Sequence, residues 1–218
     1  MTPFEQFTDI QIIDKVRGGD RALYELIIRR YNPYLYKIGR SYGYNHHDTE
    51  DLMQETFINA YMNLEKFNKR SALKTWVIRI MLNNCYREKE KYRTKNEQLT
   101  HSFHFQEANS LSNNNHLNTE EDIMNQELGK ITEQAISEIP LLYRMVFSLR
   151  EINGLNVAET AQVLDITQTN VKARLSRAKA MLRQQIEKRY SHKELYEFNL
   201  IYCDKIVDEV MKEIGCEP

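Results

Sequence analysis

Asn156 to Leu182 reads N-V-A-E-T-A-Q-V-L-D-I-T-Q-T-N-V-K-A-R-L-S-R-A-K-A-M-L, and its punctuation marks two helices joined by a sharp turn. Asn156 with Glu159 three residues on is a capping-box pattern, which starts a short helix through Leu164. Asp165-Ile166-Thr167 turns the chain, and Thr167 caps a longer helix to about Tyr190. In that second helix Val171, Leu175, Ala178 and Leu182 recur at helical spacing and form one buried stripe. Gln168, Thr169, Lys172, Ala173, Arg177 and Ala180 therefore lie toward the other side. A short helix, a three-residue turn and a basic second helix make a helix-turn-helix. Short polar side chains at the start of the exposed face reach base edges in the major groove. Lys172, Arg174, Arg177, Lys179 and Arg183 behind them suit phosphates. By itself the motif indicates DNA binding and nothing narrower.

The rest of the chain also reads as helical. Only 7 Gly and 4 Pro interrupt 218 residues, well under average usage. Thr8 with Gln11 is a second capping box, and Gly18-Gly19 ends the short helix that it opens. Asp20 is positioned to cap a helix through Arg30, and Asn32-Pro33 to start another. Asp48 would open a helix whose apolar stripe is Leu52, Phe57, Ala60, Tyr61 and Leu64, and Ser71 one reaching about Lys95. Thr119 with Asp122 begins a helix to about Glu138. Pro140 stands at the start of the next, which stops at Gly154. The expected fold is all-α: two small helical domains, residues 1–95 and 119–190, joined by a flexible acidic linker at 96–118. Residues 191–218 form an extra C-terminal amphipathic helix, with its own capping box at Ser191 and Glu194 and apolar positions at Leu195, Tyr202, Ile206, Val210 and Ile214.

The formal net charge of −1 conceals strong segregation. Glu65 to Lys95 carries +7, Asn96 to Glu138 −7, Ile139 to Tyr190 +5 and the remainder to the C-terminus −4. Two basic segments separated by an acidic one suggest two surfaces for a polyanion, although solvated helix faces have the same composition. No stretch is apolar enough to span a bilayer, and Met1 to Asp14 has acidic residues where a secretory signal is basic, so the chain reads as cytoplasmic. Cys85, Cys203 and Cys216 lack C-x-x-C spacing and read as reduced thiols. His101, His104 and His116 have no Cys or ordered carboxylate beside them, and neither a metal nor a cofactor is expected. An enzyme acting on nucleic acid would need paired carboxylates in a basic setting or a nucleophile with its base. Neither pattern is present, so no catalytic residues are assigned.

Two features of the N-terminal half narrow the choice. Asp51, Gln54 and Glu55 share one helical face opposite Leu52 and Phe57, which by composition is simply a solvated face. Lys66 to Trp76 combines cations, a loop and the only tryptophan of the chain, followed by Arg79, Asn83, Arg87, Lys89, Lys91 and Arg93. Basic residues interleaved with aromatics suit unwound single-stranded nucleic acid. Trp76 alone reads as core, with Ile80 and Asn83-Asn84 continuing its face.

Taken in order from Asp9 to Lys188, the motifs resemble the extracytoplasmic-function sigma factors, a family of bacterial transcription initiation factors. D-L-M-Q-E-T-F (Asp51–Phe57) and T-W-V-I-R-I-M-L-N (Thr75–Asn83) are similar to its region 2. P-L-L-Y-R-M-V-F-S-L-R (Pro140–Arg150) and the helix-turn-helix are similar to its region 4. The resemblance implies that Asp51, Gln54 and Glu55 dock on the β′ clamp helices of core RNA polymerase, against the solvated reading. It implies that the loop Asn68 to Lys74 and the following helix open the −10 promoter element and capture a non-template base. The residues concerned are Asn68, Lys69, Arg70, Lys74, Trp76, Arg79, Asn83 and Arg87. Gln168, Thr169, Asn170, Lys172, Ala173, Arg174 and Arg177 would read the −35 element, region 4 would also touch the β flap, and the linker would run toward the RNA exit channel. Arg87 and Glu90-Lys91 depart from the family pattern, which bears on −10 preference. The sequence leaves open whether an anti-sigma factor holds the protein inactive. It equally admits a stand-alone helix-turn-helix regulator with an N-terminal sensing or dimerising domain. For the acidic tail, the two readings are packing on region 4 or a second chain, and folding over the basic region to weaken DNA binding.

Overall fold

The computed structural model describes residues 7–97, 120–189 and 200–213. The long elements among them are α-helices: α1 (Asp9–Arg17), α2 (Tyr24–Tyr42), α3 (His46–Met62), α4 (Leu73–Glu97), α5 (Glu120–Ser137), α6 (Leu141–Phe147), α7 (Val157–Leu164), α8 (Gln168–Arg189) and α9 (Leu200–Glu213). Linker positions 98–118, including the three histidines, lie outside the described residues, as do Ser191 to Leu195 and Ile214.

Local signals set the helix ends where side chains speak to their own backbone. Gln11 N donates to Thr8 Oγ1 at 3.3 Å while Thr8 N donates to Gln11 Oε1 at 2.8 Å, closing the first capping box. Asn156 and Glu159 close the second at 2.9 and 2.7 Å. Gly19, at φ +108°, stops α1, and Asp165, at φ +52°, forms the turn of the helix-turn-helix. An aspartate tolerates the left-handed region better than most L residues.

Several expected boundaries move. Asp20 makes no side-chain cap, and a 3-10 turn over Arg21–Leu23 precedes α2. The expected break at Asn32-Pro33 is absent, and α2 is one helix of 19 residues with Pro33 inside it. An interior proline costs about 3 kcal/mol. However, Tyr31, Leu35 and Ile38 continue the buried stripe begun by Ile27, each such burial being worth roughly 1.5–3 kcal/mol, and Pro33 sits on the exposed side. Asn45, not Asp48, caps α3: its side chain accepts from Asp48 N at 2.8 Å. Pro140 precedes α6 as its cap rather than entering it. The expected continuation to Asn153 widens into a π-helical turn over Ser148–Ile152. There Asn153 N donates to Ser148 O at 2.8 Å.

The first unit packs α1 to α4 around Ile12, Ile27, Leu35, Ile38, Ile78 and Met81. At the α2–α3 crossing a side chain on Gly39 would put Cβ 2.5 Å from Thr49 Cγ2, so only glycine admits the approach. The second unit packs α6, α7 and α8 on Val146, Ala161 and Val171. The two units also touch directly. Met145, Leu149, Leu155 and Val163 belong to the same apolar cluster as the first unit's core. Ser148 and Ser41 hydroxyls meet at 2.8 Å, and Arg40 lies 3.8 Å from Glu133 of α5. The C-terminal α9 is amphipathic, but Ile206, Val207, Val210 and Met211 remain 40–51% exposed.

Candidate nucleic-acid interface

On α3, Leu52, Thr56 and Phe57 turn inward, so Asp51, Gln54 and Glu55 are exposed together, as their spacing predicts. Ile58 and Met62 continue the stripe at 58% and 73% exposure. The three- and four-residue spacing alone does not single them out, because isolated surface apolar residues are common. His47 stands 4.0 Å from Asp51, and Glu55 accepts a hydrogen bond from Arg87 of α4 at 3.1 Å.

The loop between α3 and α4 is held by α1. Arg17 Nη2 donates to the carbonyls of Leu64 (2.5 Å), Glu65 (3.2 Å) and Phe67 (2.9 Å), fixing the short 3-10 turn that enters the loop. Lys69, at φ +61°, reaches back to Asp14 at 3.0 Å. Asn68, Lys69 and Arg70 are exposed on that loop. Neither Arg17 nor Asp14 is identifiable from motif spacing, because each acts some fifty residues away along the chain.

Beside the loop lies a cavity of about 250 Å³ lined by Asn59, Asn63, Lys66, Trp76 and Ile80. Trp76 is half-buried, its ring 5.3 Å from Phe67, so it is both core and wall. Asn63 donates to the Asn59 carbonyl at 2.9 Å and accepts from Lys66 at 2.8 Å, which places carboxamide and ammonium groups on the rim. An aromatic wall, an aliphatic floor and a polar rim suit a flat ring with hydrogen-bonding edges. Arg79 and Asn83 are exposed along the outer side of α4. Asn84 is not on that face: it is buried and donates to Thr56 Oγ1 at 3.0 Å. Arg87, hydrogen-bonded to Asn84 and paired with Glu55, ties α4 to α3. This departure from the family pattern thus has a structural role.

Lys74 sits apart from the other loop cations. Its Nζ donates to the Asn153 carbonyl of the second unit at 2.6 Å and lies 3.8 Å from the Tyr34 ring centroid. Burial lowers its pKa.

In the helix-turn-helix, Thr167 Oγ1 accepts from Asn170 N at 3.2 Å, confirming the expected cap. Val171 and Ala178 are fully buried, and Gln168, Thr169, Lys172, Ala173 and Arg177 are exposed. Asn170 and Arg174 are half-buried at the edge of that face. Arg177 lies 3.5 Å from the Tyr143 hydroxyl and Lys179 pairs with Glu151 at 3.1 Å.

Comparison with known proteins places these surfaces in a family context. Residues 27–95 match the model of sigma-70 region 2, and residues 130–182 match that of sigma-70 region 4. The ECF RNA polymerase sigma-E factor of Haemophilus influenzae is 29% identical over 189 residues, covering 84% of this chain and 97% of that protein. The sigma-E factor of Escherichia coli K12 is 28% identical over 187 residues, covering 84% and 96%. Among solved structures, the sigma factor RpoE of Bartonella quintana, in complex with the anti-sigma factor NepR, aligns with a TM-score of 0.63 at 20% identity, over 75% of this chain and 96% of that one. CnrH, in complex with the cytosolic domain of CnrY, aligns at 0.60 and 21% identity, over 82% and 97%. These two likenesses bear on the fold.

Proposed function

The chain belongs to the extracytoplasmic-function sigma factors, which bring RNA polymerase to promoter DNA and start transcription, and we propose that three exposed surfaces divide that task. Residues 1–95 act as region 2 and residues 119–190 as region 4, joined through 96–118, with 191–218 an extension. Asp51, Gln54 and Glu55 of α3 dock on the β′ clamp helices, and region 4 meets the β flap. The loop Asn68 to Lys74, with Trp76, Arg79, Asn83 and Arg87 on α4, opens the −10 element, and the cavity between Trp76 and Asn63 receives an extruded base. Gln168, Thr169 and Ala173 specify −35 bases while Lys172, Arg174 and Arg177 neutralise phosphates, with Asn170 at the edge of the face.

The observation that carries this reading is the coexistence, on one chain, of an exposed basic recognition helix and a separate aromatic-walled cavity on a basic helix. Duplex and single strand each find a chemically suitable surface. The protein makes or breaks no bond itself, and it works in the cytoplasm beside the polymerase. No helix among the described residues is long and apolar enough to cross a membrane. An anti-sigma protein is a further partner, by analogy with RpoE and NepR.

Run-off transcription with purified core polymerase and a promoter library tests the assignment. Product from a subset sharing −35 and −10 sequences is expected. Tight binding to a −35-like duplex without core, and no product with it, would indicate a stand-alone regulator.

A further inference from the structure

Away from the seam where the two units meet, one apolar surface has no task in the sigma-factor reading. On α9, Ile206, Val207, Val210 and Met211 are 40–51% exposed, and Lys205, Glu209, Lys212 and Glu213 are exposed beside them. The charges are ordered around that stripe. At about 100° per residue, Asp204 and Asp208 fall on one flank of it and Glu209 and Glu213 on the other, while Lys205 and Lys212 share the opposite side of the helix. The complement of such a face is an apolar strip edged with cations.

The last turns of α8 present that complement. Leu182 and Ile186 continue the inward stripe of the helix, yet Leu182 is only half-buried and Ile186 is 38% exposed. Arg183 and Arg189 stand three residues before and after Ile186, which sets one cation about 60° to each side of it. Arg183 is exposed and has no ion pair among the described residues. Helix α5, which packs on α8, leaves Leu128 58% exposed.

Chain length and size select the occupant. Ten residues separate Arg189 from Leu200, at most about 33–36 Å of chain, against roughly 21 Å for the 14-residue α9, so α9 can fold back antiparallel to α8. A tether this short holds the helix at an effective concentration on the order of millimolar. One face of so short a helix buries far less than the roughly 1,200 Å² of a stable association between separate molecules. Pairing with the α9 of a second copy would also set acid against acid. Both arguments favour the same chain.

We propose that α9 docks in cis on the exposed end of α8, its apolar stripe over Leu182 and Ile186 and its acidic flanks against Arg183 and Arg189. The docked helix competes with DNA phosphates for those arginines. It thereby sets how tightly α8 holds duplex DNA while leaving the base-reading positions Gln168 and Thr169, about 20 Å away along the helix, untouched. The competition rests on the sigma-factor reading, and the docking does not.

Hydrogen exchange of the full-length chain tests the docking by comparison with Val207→Ser/Val210→Ser. Backbone amides of residues 178–189 should exchange roughly five-fold or more faster in the variant, and by the same factor at low and high protein concentration. Equal exchange overturns the proposal, as does a difference seen only at high concentration together with a dimer in sedimentation. Glu209→Lys/Glu213→Lys leaves the stripe intact and should lose the same protection at low salt. Protection that survives this change, or the loss of the stripe, overturns the charge pairing. For the competition, Val207→Ser/Val210→Ser should bind a −35-like duplex about three-fold or more tightly than wild type, with a salt slope steeper by about 1 for each arginine released. Equal affinity and slope overturn the competition. Failure of both proteins to engage any −35-like duplex, alone or with core polymerase, overturns the sigma-factor assignment, while a retained exchange difference still supports the docking.

Discussion

Helices α4 and α8 are both basic, yet the balance of free and engaged cations differs between them. On α8 Lys179 pairs with Glu151, but the exposed Lys172 and the edge residue Arg174 have no ion pair among the described residues, and Arg177 makes only a long contact to Tyr143. On α4 the cations are largely engaged: Arg87 with Glu55, Lys91 with Glu88, Arg93 with Glu90, Lys89 over the Tyr42 ring and Lys74 at the seam. A helix whose cations point to water suits a regular phosphate lattice, where charge and counterion release supply affinity. A helix whose cations are already paired contributes shape instead, here the cavity beside Trp76. On the proposed reading, the same composition thus serves a duplex surface in one place and a base pocket in another.

The sharpest way to break that comparison is Trp76→Ala. Loss of a stacking wall removes about 1–3 kcal/mol of single-strand binding, roughly 5- to 150-fold. Permanganate footprinting of the −10 element should show strand opening reduced by that order, while −35 duplex affinity stays within two-fold. An equal fall in both would mean that the helices do not divide the work.

Next in size are substitutions on α8. Arg177→Ala should weaken binding to all −35 sequences and lower the salt slope of binding by about 1, whereas Gln168→Ala should change discrimination at one base position by about 1–3 kcal/mol. Affinities measured from 50 to 200 mM salt on a set of single-base variants separate the two patterns. Identical patterns for both substitutions would remove the distinction between phosphate and base contacts.

Base titration probes the inner faces. The inner side of α4 carries the Cys85 thiol, which burial pushes up to about 12, and burial likewise raises Tyr42 to about 12 and raises Tyr24, Tyr31 and Tyr44 further, all in the unit formed by α1 to α4. These groups stay protonated when folded but ionise near pH 9–10 when unfolded. The unfolded state therefore binds fewer protons there, and stability falls as pH rises from about 9 toward 12. The inward stripe of α8, Val171, Leu175, Ala178 and Leu182, has no such group. Trp76 fluorescence, which reports on region 2 alone, should change before the ellipticity of region 4 is lost. Coincident transitions would show that the seam makes the two units melt as one.

The smallest effect is expected from Glu55→Gln. The Glu55–Arg87 pair is 46–60% exposed and contributes no more than about 1 kcal/mol, so thermal stability should barely move. Affinity for core polymerase should fall more than stability does. A change in stability alone would make the α3 face structural.

What was legible in advance follows the range of the interaction. The capping boxes at Thr8 and Asn156, the turn after Leu164 and the burial of Val171 and Ala178 are settled within one or two helical turns, and each stands as expected, while Leu175 and Leu182 are only half-buried. Pro33 misled because the local rule for proline was overruled by a buried stripe that runs through it. Asp48 misled because Asn45, three residues earlier, offers the same kind of cap. The cavity, the Arg17 clamp on the loop and the Lys74–Asn153 contact join residues that are well separated along the chain, and no spacing rule reaches them.

By itself, the sequence determined which segments are helical, which helix faces are polar, and which two families of surface the protein presents. Those properties come from backbone capping and from 3.6-residue periodicity, which each segment carries within itself. Only the tertiary structure decided which cations remain available and which are paired, that Trp76 is both core and cavity wall, and that the two units meet across Ser41, Lys74, Ser148 and Asn153. Those outcomes depend on distances between side chains far apart in the chain, and burial and pairing are set by what folding brings alongside.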